Sequence, residues 1–346
     1  MPTRFASLSR PHRWLVLGIT LAAVLVLVWV ALQPVTVPAE TGTGPSEGDL
    51  VSYQRIVERM RGGEGYYDAA HEVLVADGYG TRSVFNWRTP LWPAILATLP
   101  TGWAQGLLGV VALFGVMLSY LVARRDGGIV PAALTLVAVG GSLGGLASPS
   151  SVVFAEVAAG TVILFSVAAY GMGWRWAGLA AGLVALFLRE LAAPYVVVAA
   201  VLAFRERRWT EVGAWVAGGL AYAGYFGWHW FSVMQQLGPE DRAYPDGWLQ
   251  FGGLRFLVSV VSFNGLWSLT PQWLAAVFLP VGLLGLWAWR GGTIALAAVV
   301  AYLALFAAVG KPFNYYWGAV FTPVLMLGVG WALYAVLIET WRREQP

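Results

Sequence analysis

The feature that most limits this chain is a succession of unbroken apolar runs, each near the length of a bilayer crossing. The first extends from Trp14 to Leu32 without one ionisable side chain. Further runs lie at about 103–123, 129–147, 152–171, 175–188, 191–204, 211–233, 271–289, 293–309 and 318–337. A helix needs roughly 20 apolar residues to cross the hydrocarbon. Only 11% of the residues are charged and 58% are hydrophobic, against about 25% charged in a soluble domain. Such a chain cannot hide its apolar surface in water. In lipid the backbone must satisfy its own hydrogen bonds, and continuous runs suit helices where barrel strands alternate. The expected fold is all-α and integral to the membrane, with about ten transmembrane helices. The segments 175–188 and 191–204 are short for a full crossing and read as tilted, broken or paired half-helices.

The charges order these runs. Arg4, Arg10, Arg13, Arg124, Arg125, Arg175, Arg205, Arg207, Arg208, Arg290, Arg342 and Arg343 fall at alternate links. The links are short, so the positive-inside rule applies and places them in the cytoplasm, with both termini. A signal peptide has the same charge order as residues 4–32, but its apolar core is only about 7–15 residues. The first run is therefore a retained helix over 14–32. The arginines are dispersed among loops, which speaks for anchoring and against nucleic acid. There is no cysteine, hence no disulfide or thiolate ligand. The 19 tryptophans suit interfacial surface. No internal repeat is evident, which weakens an inverted-repeat transporter.

The longest polar stretch, 33–102, falls on the outer side. Pro34, Pro38, Gly42, Gly44 and Pro45 make a linker. Tyr53, Ile56, Val57 and Met60 then recur at helical spacing, with Gln54, Arg55, Glu58 and Arg59 opposite, which predicts a helix lying on a surface. A second short helix is expected over Tyr66 to Asp77, and Pro90 and Pro93 set another helix start. The domain plan is one transmembrane unit over 1–346: helix 14–32, extracytoplasmic loop 33–102, remaining helices 103–337.

With this topology the unusual polar residues gather at the outer face, and ionisable groups at membrane depth are costly. Asp49 opens the first loop helix, as a helix cap or as a base, since Asp is among the best N-cap residues. Glu156 follows the link SPSS. Arg189 and Glu190 occupy the turn in LFLRELAAPY, as a structural ion pair or as ligands. Lys311, the one lysine, sits in GKPFNYYW, where it could equally snorkel to headgroups. Arg88 is an interface anchor or a phosphate ligand. Tyr66, Tyr67, Tyr315, Tyr316 and Trp317 suit an aromatic belt or a sugar-stacking surface. His229, between two tryptophans, reads as a satisfied interfacial residue. His71, Glu72 and Asp77 read as solvated. No His/Asp/Glu spacing demands a metal.

The layout resembles the GT-C superfamily of membrane glycosyltransferases, which includes protein O-mannosyltransferases and lipid A aminoarabinose transferases. The resemblance rests on Asp49 soon after the first helix, followed by Tyr53 and GEGYYDA. It continues through FNWRTPLWPAIL, SPSSVVFAE, FLRELAAPY and KPFNYYWGAVFTPVLML. The chain departs from the family in two ways: the acid stands alone as GDL where several members have an Asp-Glu pair, and no large soluble domain follows the last helix.

The resemblance implies a donor sugar on a polyprenyl phosphate, met in the lipid bilayer, and inverting transfer to an acceptor hydroxyl at the outer face. Asp49 would be the base. Arg189, Lys311 or Arg88 would hold the leaving phosphate, Arg by two prongs and Lys as a point charge. Glu156 would orient Arg189 or the sugar hydroxyls, beside Glu190, with Tyr53, Tyr67, Tyr315 and Tyr316 around the substrate. No cofactor is implied, and a divalent cation is not indicated. The acceptor, whether glycan, lipid or protein, stays open. Two rivals remain at this stage. A transporter or flippase predicts charges at the bilayer midplane and broken helices in both halves. A non-catalytic scaffold that binds a partner through the first loop predicts that Asp49 and Arg189 do not share a cavity.

Overall fold

The apolar runs fold as helices in the computed structural model, which describes residues 3–34, 48–245 and 247–340. The linker positions Pro38, Gly42, Gly44 and Pro45 and the basic residues Arg342 and Arg343 lie outside them. Helix α1 covers Arg10–Leu32. Within the first polar stretch the described residues form α2 at Asp49–Arg61, α3 at Tyr66–Ala76, α4 at Val84–Trp87 and α5 at Leu91–Thr98. Then come α6 (Trp103–Gly127), α7 (Ile129–Leu143), α8 (Ala155–Gly171), α9 (Arg175–Leu188), α10 (Ala193–Arg205) and α11 (Trp209–Gln236). The chain ends with α12 (Gly253–Ser262), α13 (Gln272–Ala288), α14 (Thr293–Ala308) and α15 (Thr322–Leu333). No β-strand occurs among the described residues; a single antiparallel bridge joins Leu249 and Val309.

Among the described residues four segments are long and apolar enough to cross a membrane: Arg10–Leu32, Trp103–Gly127, Ile129–Ala147 and Thr322–Glu339. Shorter apolar helices accompany them, including α8, α9, α13 and α14. Helix α9 has 14 residues, about 21 Å at 1.5 Å per residue, which is short of the hydrocarbon thickness. Large side chains such as Trp14, Leu25, Leu113, Leu220 and Phe231 stand exposed on the outside of the bundle, as lipid-facing residues do. The chain is a multi-pass membrane protein.

Helix α15 is the centre. Every residue from Thr322 to Ala332 is buried, packed by α7, α8 and α13. Lipid offers helices no hydrophobic incentive to associate, so small residues that allow close approach decide the packing. A Cβ on Gly285 would stand 1.7 Å from the Gly328 carbonyl oxygen. Helix α1 buries only Leu27 and rests on α13. The two described ends meet: Thr3 Oγ1 donates to Glu339 Oε2 at 2.7 Å.

Several expected boundaries shift for physical reasons. The run at 318–337 starts as a 3-10 helix over Pro312–Val320, continues as α15 and ends in a π-helix over Tyr334–Glu339. The run at 152–171 is preceded by a 3-10 turn, Pro149–Val153. The 234–270 link contains α12, whose Phe256, Leu257, Val258, Val260 and Val261 are buried; ten residues are too few to register as a span. His71, Glu72 and Asp77 are not all solvated. Asp77 is buried, accepting from Ser52 Oγ and from Arg55 at 2.8 Å. His71 stacks on Trp87 and donates from Nε2 to Asp241 at 3.0 Å. Only Glu72 is exposed, paired with Arg59.

Candidate active site

Asp49 is the first helical residue of α2, and Gly48 holds the cap position at φ 83°. The carboxylate makes no capping bond. It turns inward, where Oδ1 accepts from the Tyr79 hydroxyl and Oδ2 from the Tyr316 hydroxyl. The Tyr53 hydroxyl reaches Oδ2 at 3.4 Å, the limit of a hydrogen bond. Burial pushes the Tyr53, Tyr79 and Tyr316 phenols well up, and the Asp49 charge adds to this, while Arg88 opposes it at Tyr53 and Tyr316. All three stay protonated at neutral pH and act as donors to the carboxylate.

Arg88 is the next layer. Its guanidinium stands 3.8 Å from Asp49 Oδ2, donates to the Tyr316 hydroxyl at 2.5 Å and to the Phe85 carbonyl at 2.8 Å, and lies over the Tyr53 ring. Burial disfavours its charge, but the facing Tyr316, Tyr53, Glu156 and Asp49 hold its pKa well above the ordinary value. The backbone at Arg88 has φ 60° and ψ 157°, a region almost reserved for glycine. The surroundings fix it there: the Tyr66 hydroxyl donates to the carbonyls of Trp87 and Arg88.

Glu156 is wholly buried in the first turn of α8, where the helix dipole favours an anion. Its Oε1 accepts from Arg189 Nε at 2.8 Å and lies 4.0 Å from Arg88 Nε. Oε2 has no hydrogen-bond partner among the described residues. Arg189 caps α9, is 1% exposed and also pairs with Glu190. Charge therefore alternates along one buried line: Asp49, Arg88, Glu156, Arg189, Glu190.

Two spaces adjoin that line, the first at Arg88 and Glu156 in its middle and the second at the end away from Asp49. Between Tyr53, Arg88, Trp92 and Glu156 is a cleft of about 20 Å³, enough for one water. At the far end a cavity of about 640 Å³ opens beside Arg189 and Glu190, and its walls are otherwise largely apolar, with Phe85, Val197, Phe226, Leu305, Trp248 and Trp317. Glu190 Oε2 and Trp317 Nε1, both buried at this wall, have no hydrogen-bond partner among the described residues.

The remaining sequence candidates divide. Tyr53 and Tyr316 join Asp49 directly. Tyr66 supports the Arg88 backbone. Tyr67 hydrogen-bonds His229 Nδ1 at 3.1 Å and so ties α3 to α11; burial pushes its phenol up to about 12. Tyr315 is exposed, edge-on to Phe263. Lys311 is buried with its ammonium 4.5 Å from the Tyr244 ring centroid. Sequence reasoning missed Tyr79 and Trp248. Tyr79 lies thirty residues from its carboxylate, between Gly78 and Gly80. His71, Glu240 and Asp241 bring possible metal-ligand atoms within 4.8 Å of one another, a grouping that no short spacing announces.

No protein-family model and no curated protein matches this chain. Among solved structures it is similar to ArnT from Cupriavidus metallidurans bound to undecaprenyl phosphate, with TM-score 0.54 and 17% identity over 94% of this chain. The likeness is one of fold: this chain shares the fold of that ArnT structure. The match covers 61% of the ArnT chain, so this protein spans about three fifths of that structure's length. The apo form of the same ArnT also matches, with TM-score 0.46 and 18% identity over 97% of this chain and 62% of that one.

Proposed function

We propose that this protein is an inverting GT-C-type glycosyltransferase, moving a sugar from a polyprenyl-phosphate carrier to an acceptor hydroxyl. The observation that carries the reading is the buried line of alternating charge between the carboxylate of Asp49 and the cation of Arg189 at an apolar cavity. The ArnT structure of the same fold was solved with undecaprenyl phosphate, which supports the choice of carrier.

On this reading the prenyl chain occupies the apolar cavity, and its phosphate sits at the charged end, by Arg189. In a single displacement the acceptor oxygen forms a bond to the anomeric carbon as the bond from that carbon to the phosphate oxygen breaks. The acceptor proton passes to Asp49, and the electron pair leaves on the polyprenyl phosphate. Arg189 and Arg88 offset the charge that develops on the leaving group. The Tyr53 hydrogen bond is the longest of the three that Asp49 accepts from hydroxyls and is the one an incoming hydroxyl displaces. Tyr79 and Tyr316 keep the carboxylate oriented.

Ten of the helices, α1, α6 to α11 and α13 to α15, act as the crossings, with α2 to α5 as an extracytoplasmic cap. The basic residues at the ends away from Asp49 put both termini in the cytoplasm. The whole chain is then one transmembrane unit, in the plasma membrane.

The test uses the purified chain in lipid nanodiscs with a panel of labelled polyprenyl-phosphate hexoses and pentoses. Wild type releases polyprenyl phosphate; Asp49→Asn, nearly the same shape, loses about 10²–10⁴-fold in rate. A folded Asp49→Asn protein with wild-type turnover sinks the base assignment.

A further inference from the structure

A second pocket, of about 100 Å³, lies at the end of α7, lined by Ser142, Ser151, Asn264, Ser268 and Thr322 together with Phe263. No Arg, Lys, His, Asp or Glu is among its lining residues. Asn264 is 2% exposed; its Oδ1 accepts from the Ser142 hydroxyl, while Nδ2 has no hydrogen-bond partner among the described residues. A buried amide donor left unpaired is costly, because it has given up water without a replacement partner. The Asn264 turn is held tightly: a Cβ on Gly265, at φ 56°, would stand 1.9 Å from the Ser142 carbonyl oxygen.

The chemistry of the lining selects a ligand class. An anion or a cation finds no counter-charge here, and burying one unpaired is expensive. A purely apolar group leaves Nδ2 unmatched and gives nothing to the free lone pairs of Ser142, Ser268 and Thr322, whose hydroxyls donate to Asn264 Oδ1 and to the Gly265 and Phe263 carbonyls. A neutral group rich in hydroxyls satisfies both donors and acceptors. At about 30 Å³ per water the volume takes roughly three waters, which is the edge of a sugar ring or a diol.

Position supplies a role. Phe263 stands edge-on to Tyr316, at 6.4 Å between ring centroids, and to Phe154, at 5.9 Å. Tyr316 in turn bonds Asp49, so one aromatic layer separates pocket and carboxylate. Side chains three apart eclipse in a 3-10 helix. In Pro312–Val320 this puts Ala319, a wall of the polar pocket, on the face of Tyr316, while Trp317 turns to the apolar cavity.

We infer that this pocket binds an uncharged, hydroxyl-bearing group and is the acceptor side of the site, entered separately from the lipid-type cavity. The acceptor role rests on the transferase reading; the binding does not.

The probes are methyl α-D-glucoside and its anionic counterpart methyl α-D-glucuronoside, with binding to the full chain in nanodiscs read by saturation-transfer NMR. Wild type binds the neutral probe and rejects the anionic one. Asn264→Leu weakens binding roughly tenfold, the worth of one hydrogen bond. Ser268→Phe, placed at an exposed position of the mouth, blocks the pocket without disturbing buried contacts and abolishes binding if Asn264→Leu fails to fold. No binding to wild type, equal binding to wild type and Ser268→Phe, or equal uptake of the anionic probe overturns the proposal. Adding a polyprenyl-phosphate sugar separates the two sources of hydroxyls: retained probe binding supports the acceptor role, and competition gives the pocket to the donor's sugar and overturns that role. Pocket-dependent binding in a protein that turns over no donor of the panel defeats the transferase reading and leaves the pocket as a polyol site.

Discussion

Replacing Arg88 by alanine and by glycine separates what its side chain does from what its backbone costs. Arg88 holds φ 60° and ψ 157°, where a residue with a Cβ carries strain of about 1–3 kcal/mol. Both substitutions remove the guanidinium and its bonds to the Phe85 carbonyl and the Tyr316 hydroxyl. Bonds from a charged donor contribute about 1.5–3 kcal/mol each, so Arg88→Ala should lose about 3–6 kcal/mol. Glycine loses the same bonds but releases the strain. At an ordinary position glycine is about 0.5–1 kcal/mol less stable than alanine, through the entropy of the unfolded chain. Here the order should reverse, with Arg88→Gly more stable than Arg88→Ala by up to about 2.5 kcal/mol. The assay is equilibrium unfolding of wild type and both variants in mixed micelles. Turnover should fall about 10²–10³-fold in both, since both lack the cation. An alanine variant as stable as the glycine one, or more so, refutes the claim that Arg88 is held against strain.

Tyr316→Phe removes the hydroxyl that joins Asp49 to Arg88; transfer should fall about 10–100-fold with the fold intact, checked by turnover and near-UV circular dichroism. Val197 lines the apolar cavity with its side chain 60% exposed, so Val197→Trp should fold normally and raise the donor KM roughly tenfold with kcat little changed, as loss of uniform binding does. Burial pushes the Asp241 carboxyl up, but the Gly238 amide and the His71 ring outweigh that and leave it below its ordinary value. A depressed folded-state pKa contributes stability above the unfolded value of about 3.9 that is lost as pH falls through the folded one; Asp241→Asn should flatten that acid limb of the melting temperature.

The sequence made the spans legible because lipid imposes one simple demand, length without charge. It also made Asp49, Arg88, Glu156 and Arg189 visible, because charge in such surroundings is rare enough to stand out. What it could not convey is which of them touch. Asp49 and Glu156 are far apart in the chain, and Arg88 lies between them in space, where α2 packs on the 3-10 turn Pro149–Val153 that leads into α8. Tyr79 had no signal of its own, since a tyrosine between glycines is ordinary. The helix α12 was invisible because its buried face is too short for a span and too irregular for a long period. The polar pocket was invisible for a related reason. Serine and asparagine read as loop residues, and only the return of Asn264 to the end of α7 makes them a lining.

The alternating line also bears on how such a site rests in a membrane. Three carboxylates and two guanidiniums, spaced at 3.8, 4.0 and 2.8 Å where the distances are ordinary, nearly neutralise one another. At an effective dielectric of about 20, two unit charges 4 Å apart attract by about 4 kcal/mol, which offsets part of the desolvation of each. A phosphate arriving at Arg189 therefore meets a cation already held by two carboxylates. Of these, the Glu156 side chain is 1% exposed and the Glu190 side chain 15%, and Glu190 stands at the cavity wall with one oxygen unpartnered. On the proposed reading Glu190 is the group that yields, because its side chain is the more exposed of the two and Glu156 faces Arg88 as well as Arg189. Glu156 then keeps Arg189 and Arg88 aligned while the phosphate takes the vacated face of the guanidinium. The resting pairing is the same arrangement of dipoles and charges that the leaving group later needs, with one carboxylate exchanged for phosphate.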